Sequence, residues 1–137
     1  MCAILKQYGP LIGRILLSAI FILAGFNKIT GFESTAGYMA SKGLPMAEVL
    51  LVLTIIIELG GGLMILVGWQ ARWAAMVIFL FLIPVTFVFH PFWSFEGQEA
   101  VTQYHKFMKN LAIMGGFVYV MVYGAGPLSL QKESSDS

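Results

Sequence analysis

The chain has 137 residues, 58% of them hydrophobic and only 11% charged, with a net charge of +1 and a mean hydropathy of +0.83. That leaves too little polar surface to cover a water-soluble domain of this size and excludes the basic balance of a nucleic-acid binder. A single cysteine, Cys2, excludes dithiol chemistry within one chain.

The first apolar stretch, residues 10–27, is long enough to cross a hydrocarbon core of about 30 Å. Lys6 precedes it as in a signal peptide, but Arg14 interrupts its start and no small-x-small site closes it, so it reads as a retained span. A Gly-rich connection over 28–45 admits a short helix through 34–41. The second stretch, residues 46–67, carries Glu48 near its start and is then apolar but for Thr54 and, near its centre, Glu58, a carboxylate whose cost at that depth demands a partner or a purpose. A tight turn over 68–72 makes it an antiparallel hairpin with the third stretch, 73–89, which Pro91 ends. His90, Trp93 and Tyr104 then fall at a membrane surface. The last stretch, 107–123, stops at Gly124-Ala125-Gly126-Pro127, and the Ser-rich residues 128–137 read as a disordered tail.

The expected fold is therefore an all-α integral membrane four-helix transmembrane bundle, one domain over 1–127, with the lipid bilayer as its partner. Lys and Arg divide four to four between the two faces and assign no orientation. Helical spacing groups small and polar residues on one face of each span: Arg14, Ser18, Phe21, Gly25 and Lys28; Thr54, Glu58, Gly61, Ile65 and Gly68; Phe79, Ile83, Thr86 and His90; His105, Lys109, Ala112, Gly116, Tyr119 and Tyr123. These faces are expected to look inward, with Gly60-Gly61-Gly62 and Gly115-Gly116 as close-packing sites.

Depth counting leaves Arg14 roughly 7 Å from the level of Glu58, within reach of its side chain, so an Arg14–Glu58 ion pair is expected. On the opposite face Lys28, His90, Lys109 and Asn110, with Trp93 alongside, form a mouth of donors able to hold a quinone head group or a small anion, and His90 is suited to moving protons. Glu58, Arg14 and His90 are the candidate catalytic groups, and Lys28, Lys109, Asn110 and Trp93 the candidate binding groups. No metal cluster, haem signature or nucleotide loop is present in the sequence, so no intrinsic cofactor is expected.

The run from Arg14 through Gly25 to Lys28, the run from Glu58 through Gly62 to Gly68 and Arg72, and Lys109-Asn110 with Gly115-Gly116 resemble three motifs of the DoxX family, over about residues 10–124. The resemblance implies a multi-pass protein of the bacterial inner membrane, often described as an oxidoreductase subunit. It also implies association with the quinone pool and with a soluble or membrane redox enzyme. Read from the residues alone, two alternatives stand beside this: a proton-coupled carrier centred on Glu58 in a homo-oligomer, or a scaffold without chemistry.

Overall fold

The computed structural model describes residues 2–130; Met1 and residues 131–137 lie outside the described residues, and most of the expected tail lies there with them. Five helices and no strand occur among the described residues. They are α1 (Cys2–Thr30), α2 (Phe32–Ser41), α3 (Ala47–Val67), α4 (Ala71–Phe89) and α5 (Gly97–Tyr123). Three segments among the described residues are long and apolar enough to cross a membrane: Cys2–Thr30, Ala47–Val67 and Ala71–Ser94. The fold is all-α, with multiple spanning helices.

Helix α1 starts well before the expected boundary and runs through Pro10. At about 1.5 Å per residue its 29 residues outrun a 30 Å core, so its first turns project beyond the apolar layer. Helix α3 contains one π-helical turn, Ile56–Gly60, with Glu58 in its middle. Such turns insert an extra residue into the helical repeat and rotate the faces on either side of it. Gly68, at φ 76°, caps α3 in the left-handed region, and His90 caps α4 just before Pro91.

Helices α1, α3, α4 and α5 pack side by side in chain order. Phe21, Ile65, Ala74, Ala75, Ile78, Leu82 and Phe117 form the main core, and the Phe21 and Phe117 rings, 5.4 Å apart, bridge α1 to α5. The short helix α2 lies over α3, burying Ala36 and Met39 against Leu51 and stacking Tyr38 on Phe89 at 5.7 Å.

Close approach of α1 and α3 is set by glycines. A Cβ on Gly25 would lie 2.7 Å from Leu59 Cγ, and one on Gly62 would lie 3.0 Å from Ile22. Gly61 and Gly116 meet Ile78 and Leu17 in the same way, whereas Gly60 and Gly115, expected to pack closely, face open space.

The expected inward faces hold for α1, where Arg14, Ser18, Phe21 and Gly25 are the buried residues. In α4 the buried stripe is instead Ala71, Ala74, Ala75, Ile78, Leu82 and Thr86, while Ile83 is exposed. In α5 it is Gln103, Asn110 and Phe117, whereas Tyr119 and Tyr123 are among the most exposed aromatics. The small face of α5, with Ala112 and Gly116, lines an open groove of about 590 Å³ against α1. The packed faces still combine small and polar residues with a few large apolar ones; what differs from expectation is which side of α4 and α5 turns to the bundle.

Candidate functional site

Glu58 is 5% exposed and its carboxylate is paired, but not with Arg14. Lys28 Nζ lies 2.9 Å from Oε1 and donates to Oε2 at 3.1 Å. The register of α1 against α3 sets this pairing. With Gly25 against Leu59, Gly62 against Phe21 and Ile22, and Gly68 against Arg14, the antiparallel pair brings the C-terminal turn of α1 to the π-turn of α3. Arg14 faces a level ten residues beyond Glu58, roughly 15 Å along the axis. Counting depth from assumed span ends placed it too close.

Arg14 serves another purpose. Its Nη1 donates to Leu66 O at 2.9 Å and Ile65 O at 3.5 Å, and its Nη2 to Leu128 O at 2.7 Å and Pro127 O at 3.3 Å. A cation there meets the carbonyl end of α3, where the helix dipole favours it. The same guanidinium ties down the segment after α5, and Leu130 N donates to Val67 O at 2.8 Å. Residues 128–130, expected within a disordered tail, are thus a strap across the end of the α1–α3 pair. Gly68 allows the strap to pass, because a Cβ there would collide with Ser129.

Beside the Lys28–Glu58 pair lies a cavity of about 360 Å³, walled by α1 through α5. Lys28, Glu58, Thr54, Thr35, Tyr38, His90 and Lys106 supply its polar groups, and Phe81, Val85, Phe89 and Met39 its apolar walls. The structure therefore brings together three of the expected residues, Lys28, Glu58 and His90. Arg14, Lys109, Asn110 and Trp93 do not line it. Asn110 is buried and donates to Thr86 Oγ1 at 3.1 Å, joining α5 to α4. Lys109 is exposed. Trp93 packs edge-on in an aromatic cluster with Phe92 and Phe107 on the outer side. Lys106, Tyr38 and Thr35 were not anticipated. Lys106 sits one turn before Asn110 on α5, a spacing that was available; Tyr38 and Thr35 arrive only because α2 folds back over the bundle.

His90 is held by the neighbouring helix. Its Nδ1 is 2.8 Å from Gln103 Oε1, and Gln103 Nε2 donates to Glu99 Oε1 at 2.9 Å. The site thus combines a neutralised ion pair, a second lysine, an oriented imidazole and aromatic walls, at a volume suited to a small ring or head group.

A family model described as DoxX matches residues 9–91. The chain is 39% identical over 128 residues to Inner membrane protein YqjF of Escherichia coli K12, covering 93% of each chain. It is 31% identical to Inner membrane protein YphA of the same strain, covering 89% of this chain and 87% of that one. A more distant likeness, 25% identity, links 93% of the chain to 38% of the Surfeit locus protein 4 homolog of Schizosaccharomyces pombe. No solved structure matches. With such relatives and several helices able to span, the chain is a multi-pass protein of the bacterial inner membrane.

Proposed function

Because the chain belongs to the DoxX family, we propose that it is a membrane accessory protein of redox enzymes that holds a quinone head group in the cavity beneath α2. In this reading α5 supplies a fourth crossing of the bilayer. The observation that carries the proposal is the donor set. Lys106 and Lys28 offer ammonium groups to ring oxygens, and Phe81, Phe89 and Tyr38 supply walls for a planar ring. The Lys28 charge is already balanced by Glu58, so the cavity carries one uncompensated lysine, which suits a polar oxygen of a neutral ring better than a cation. A bound quinone supplies two-electron carrier chemistry; the residues of this chain bind and orient it, exclude water around the ring and hold protons at His90. A partner enzyme delivers or takes the electrons.

Equilibrium binding of a short-chain ubiquinone analogue to the protein in lipid nanodiscs tests the reading. Saturable binding weakened about tenfold by Lys106→Ala is expected, the scale of one charge-assisted hydrogen bond. Absence of saturable binding to the unmodified protein overturns it.

A second reading, a proton-coupled carrier, draws on the position of Glu58 in a π-helical turn beside the cavity. Proteoliposome flux that ignores Glu58→Gln counts against that one.

A further inference from the structure

The polarity of the cavity is set by a hydrogen-bond chain that reaches it from outside. Glu99, exposed in the first turn of α5, presents a carboxylate that only accepts. Gln103, 6% exposed, donates to it through Nε2, which turns the amide oxygen toward His90. An amide oxygen also only accepts, so the proton on the neutral His90 ring sits on Nδ1, at the 2.8 Å contact. Nε2 is then left with a lone pair.

Among the described residues the ring makes the Nδ1 contact to Gln103 and a hydrogen bond with the backbone of Phe89, and Nε2 is not among the sealed polar atoms without a partner, which belong to Arg14 and Arg72. His90 lines the cavity, where a ligand can approach its ring. Other groups facing it from the packed elements are Lys106 and Lys109 on α5 and the Lys28–Glu58 pair across the cavity. The lysines only donate. Glu58 has both oxygens engaged by Lys28. Thr54 Oγ1, which donates to Leu50 O, and the Glu58 oxygens keep acceptor capacity as well, so the lining favours a ligand that donates, and His90 Nε2 is the acceptor whose role Glu99 and Gln103 set.

We propose that the cavity selects a ligand bearing a hydroxyl proton, the reduced dihydroxy form of a quinone over its dicarbonyl form, because Glu99 and Gln103 hold His90 with Nε2 as a hydrogen-bond acceptor. The identity of the ligand rests on the quinone reading above; the state of His90 does not. Glu99 and Gln103 are positioning residues: they touch no ligand and act through the imidazole. A dihydroxy ring satisfies both kinds of lining group, since one oxygen donates to Nε2 while the other accepts from a lysine. A dicarbonyl ring leaves Nε2 facing a second acceptor, an unpaired arrangement inside a partly buried site.

The test reads the imidazole directly. Nitrogen-15 NMR of histidine-labelled protein in nanodiscs distinguishes a protonated from an unprotonated Nε2, and the unmodified protein is expected to show Nδ1 protonated and Nε2 bare. Glu99→Lys replaces the acceptor by a donor, so the Gln103 amide turns over, Nδ1 becomes the acceptor and the proton moves to Nε2. Gln103→Leu removes the chain and should give a mixture of the two tautomers, which covers the case in which the lysine variant does not fold. In binding, a hydroquinone analogue should exceed both its dimethyl ether and the oxidised ring by about tenfold. That preference should reverse toward the oxidised ring in Glu99→Lys.

A protonated Nε2 in the unmodified protein, a tautomer indifferent to both substitutions, or equal binding of the three rings overturns the inference. If the tautomer behaves as expected and no ring binds in either oxidation state, the quinone reading falls while the control of His90 by Glu99 and Gln103 stands.

Discussion

Glu58 and Arg14 are the two most completely buried charges among the described residues, and they are stabilised by different means. Glu58 depends on one counter-ion. Lys28→Met leaves a carboxylate that is 5% exposed without a partner, and should cost on the order of 3 kcal/mol in a detergent unfolding titration. Glu58→Gln should cost less, about 1 kcal/mol, because the Lys28 side chain is 28% exposed and can turn its ammonium toward water. The double variant Lys28→Met with Glu58→Leu should recover most of the loss, and a thermodynamic cycle over the four proteins measures the coupling. Arg14 depends on carbonyls rather than on a carboxylate. Arg14→Gln should release the strap, lowering stability by about 2 kcal/mol and exposing the chain after Gly124 to limited proteolysis. Both charges were conspicuous in the sequence as costly residues in apolar runs. Their partners were not, because the partner of Arg14 is backbone, which every residue carries.

Between elements, glycines decide how near α1 comes to α3. Gly25→Ala places a methyl group against the Leu59 side chain and backbone, and should destabilise the bundle by about 1–3 kcal/mol. Gly115→Ala, where the new methyl meets nothing within 4 Å, should be neutral or slightly stabilising through helix propensity, and thermal unfolding of the two variants side by side checks the contrast. Both glycines lie in the same kind of sequence, next to small residues in an apolar helix. Spacing at three and four places them on faces but does not say which face meets a neighbour. The π-turn sharpens the same point. In α3 the buried residues Leu51, Glu58, Gly62 and Ile65 follow steps of seven, four and three around that turn, a helical rhythm that fits Gly62 as well as the expected Gly61, so spacing alone does not choose between them.

Across the whole molecule, the strap fixes where residues 128–130 lie relative to α1 and α3. Arg14 holds Leu128 beside the level of Gly68, so the segment after α5 returns to the end of the bundle from which α1 enters. If α5 crosses the bilayer as proposed, the native thiol of Cys2 and a cysteine placed at the exposed Leu130 should react with a membrane-impermeant maleimide from the same side. Labelling from opposite sides would leave three crossings. The groove between α1 and α5 belongs to this scale too, since consecutive pairs close while the first and last helices meet mainly through Phe21 and Phe117.

The sequence by itself determined that this is a helical membrane protein, where its apolar runs lie, that Pro91 and Gly124 end two helices, and that Glu58, Lys28 and His90 are worth watching. Those follow from composition, length and local backbone chemistry, which act within a few residues. Tertiary structure alone decided that Lys28 rather than Arg14 answers Glu58, that Arg14 clamps carbonyls from two segments more than fifty and one hundred residues away, and that α2 roofs the cavity with Tyr38 and Thr35. Each depends on the register in which two helices slide together. That register is set by where a missing Cβ permits close approach, a property of the pair of surfaces and not of either strand of sequence.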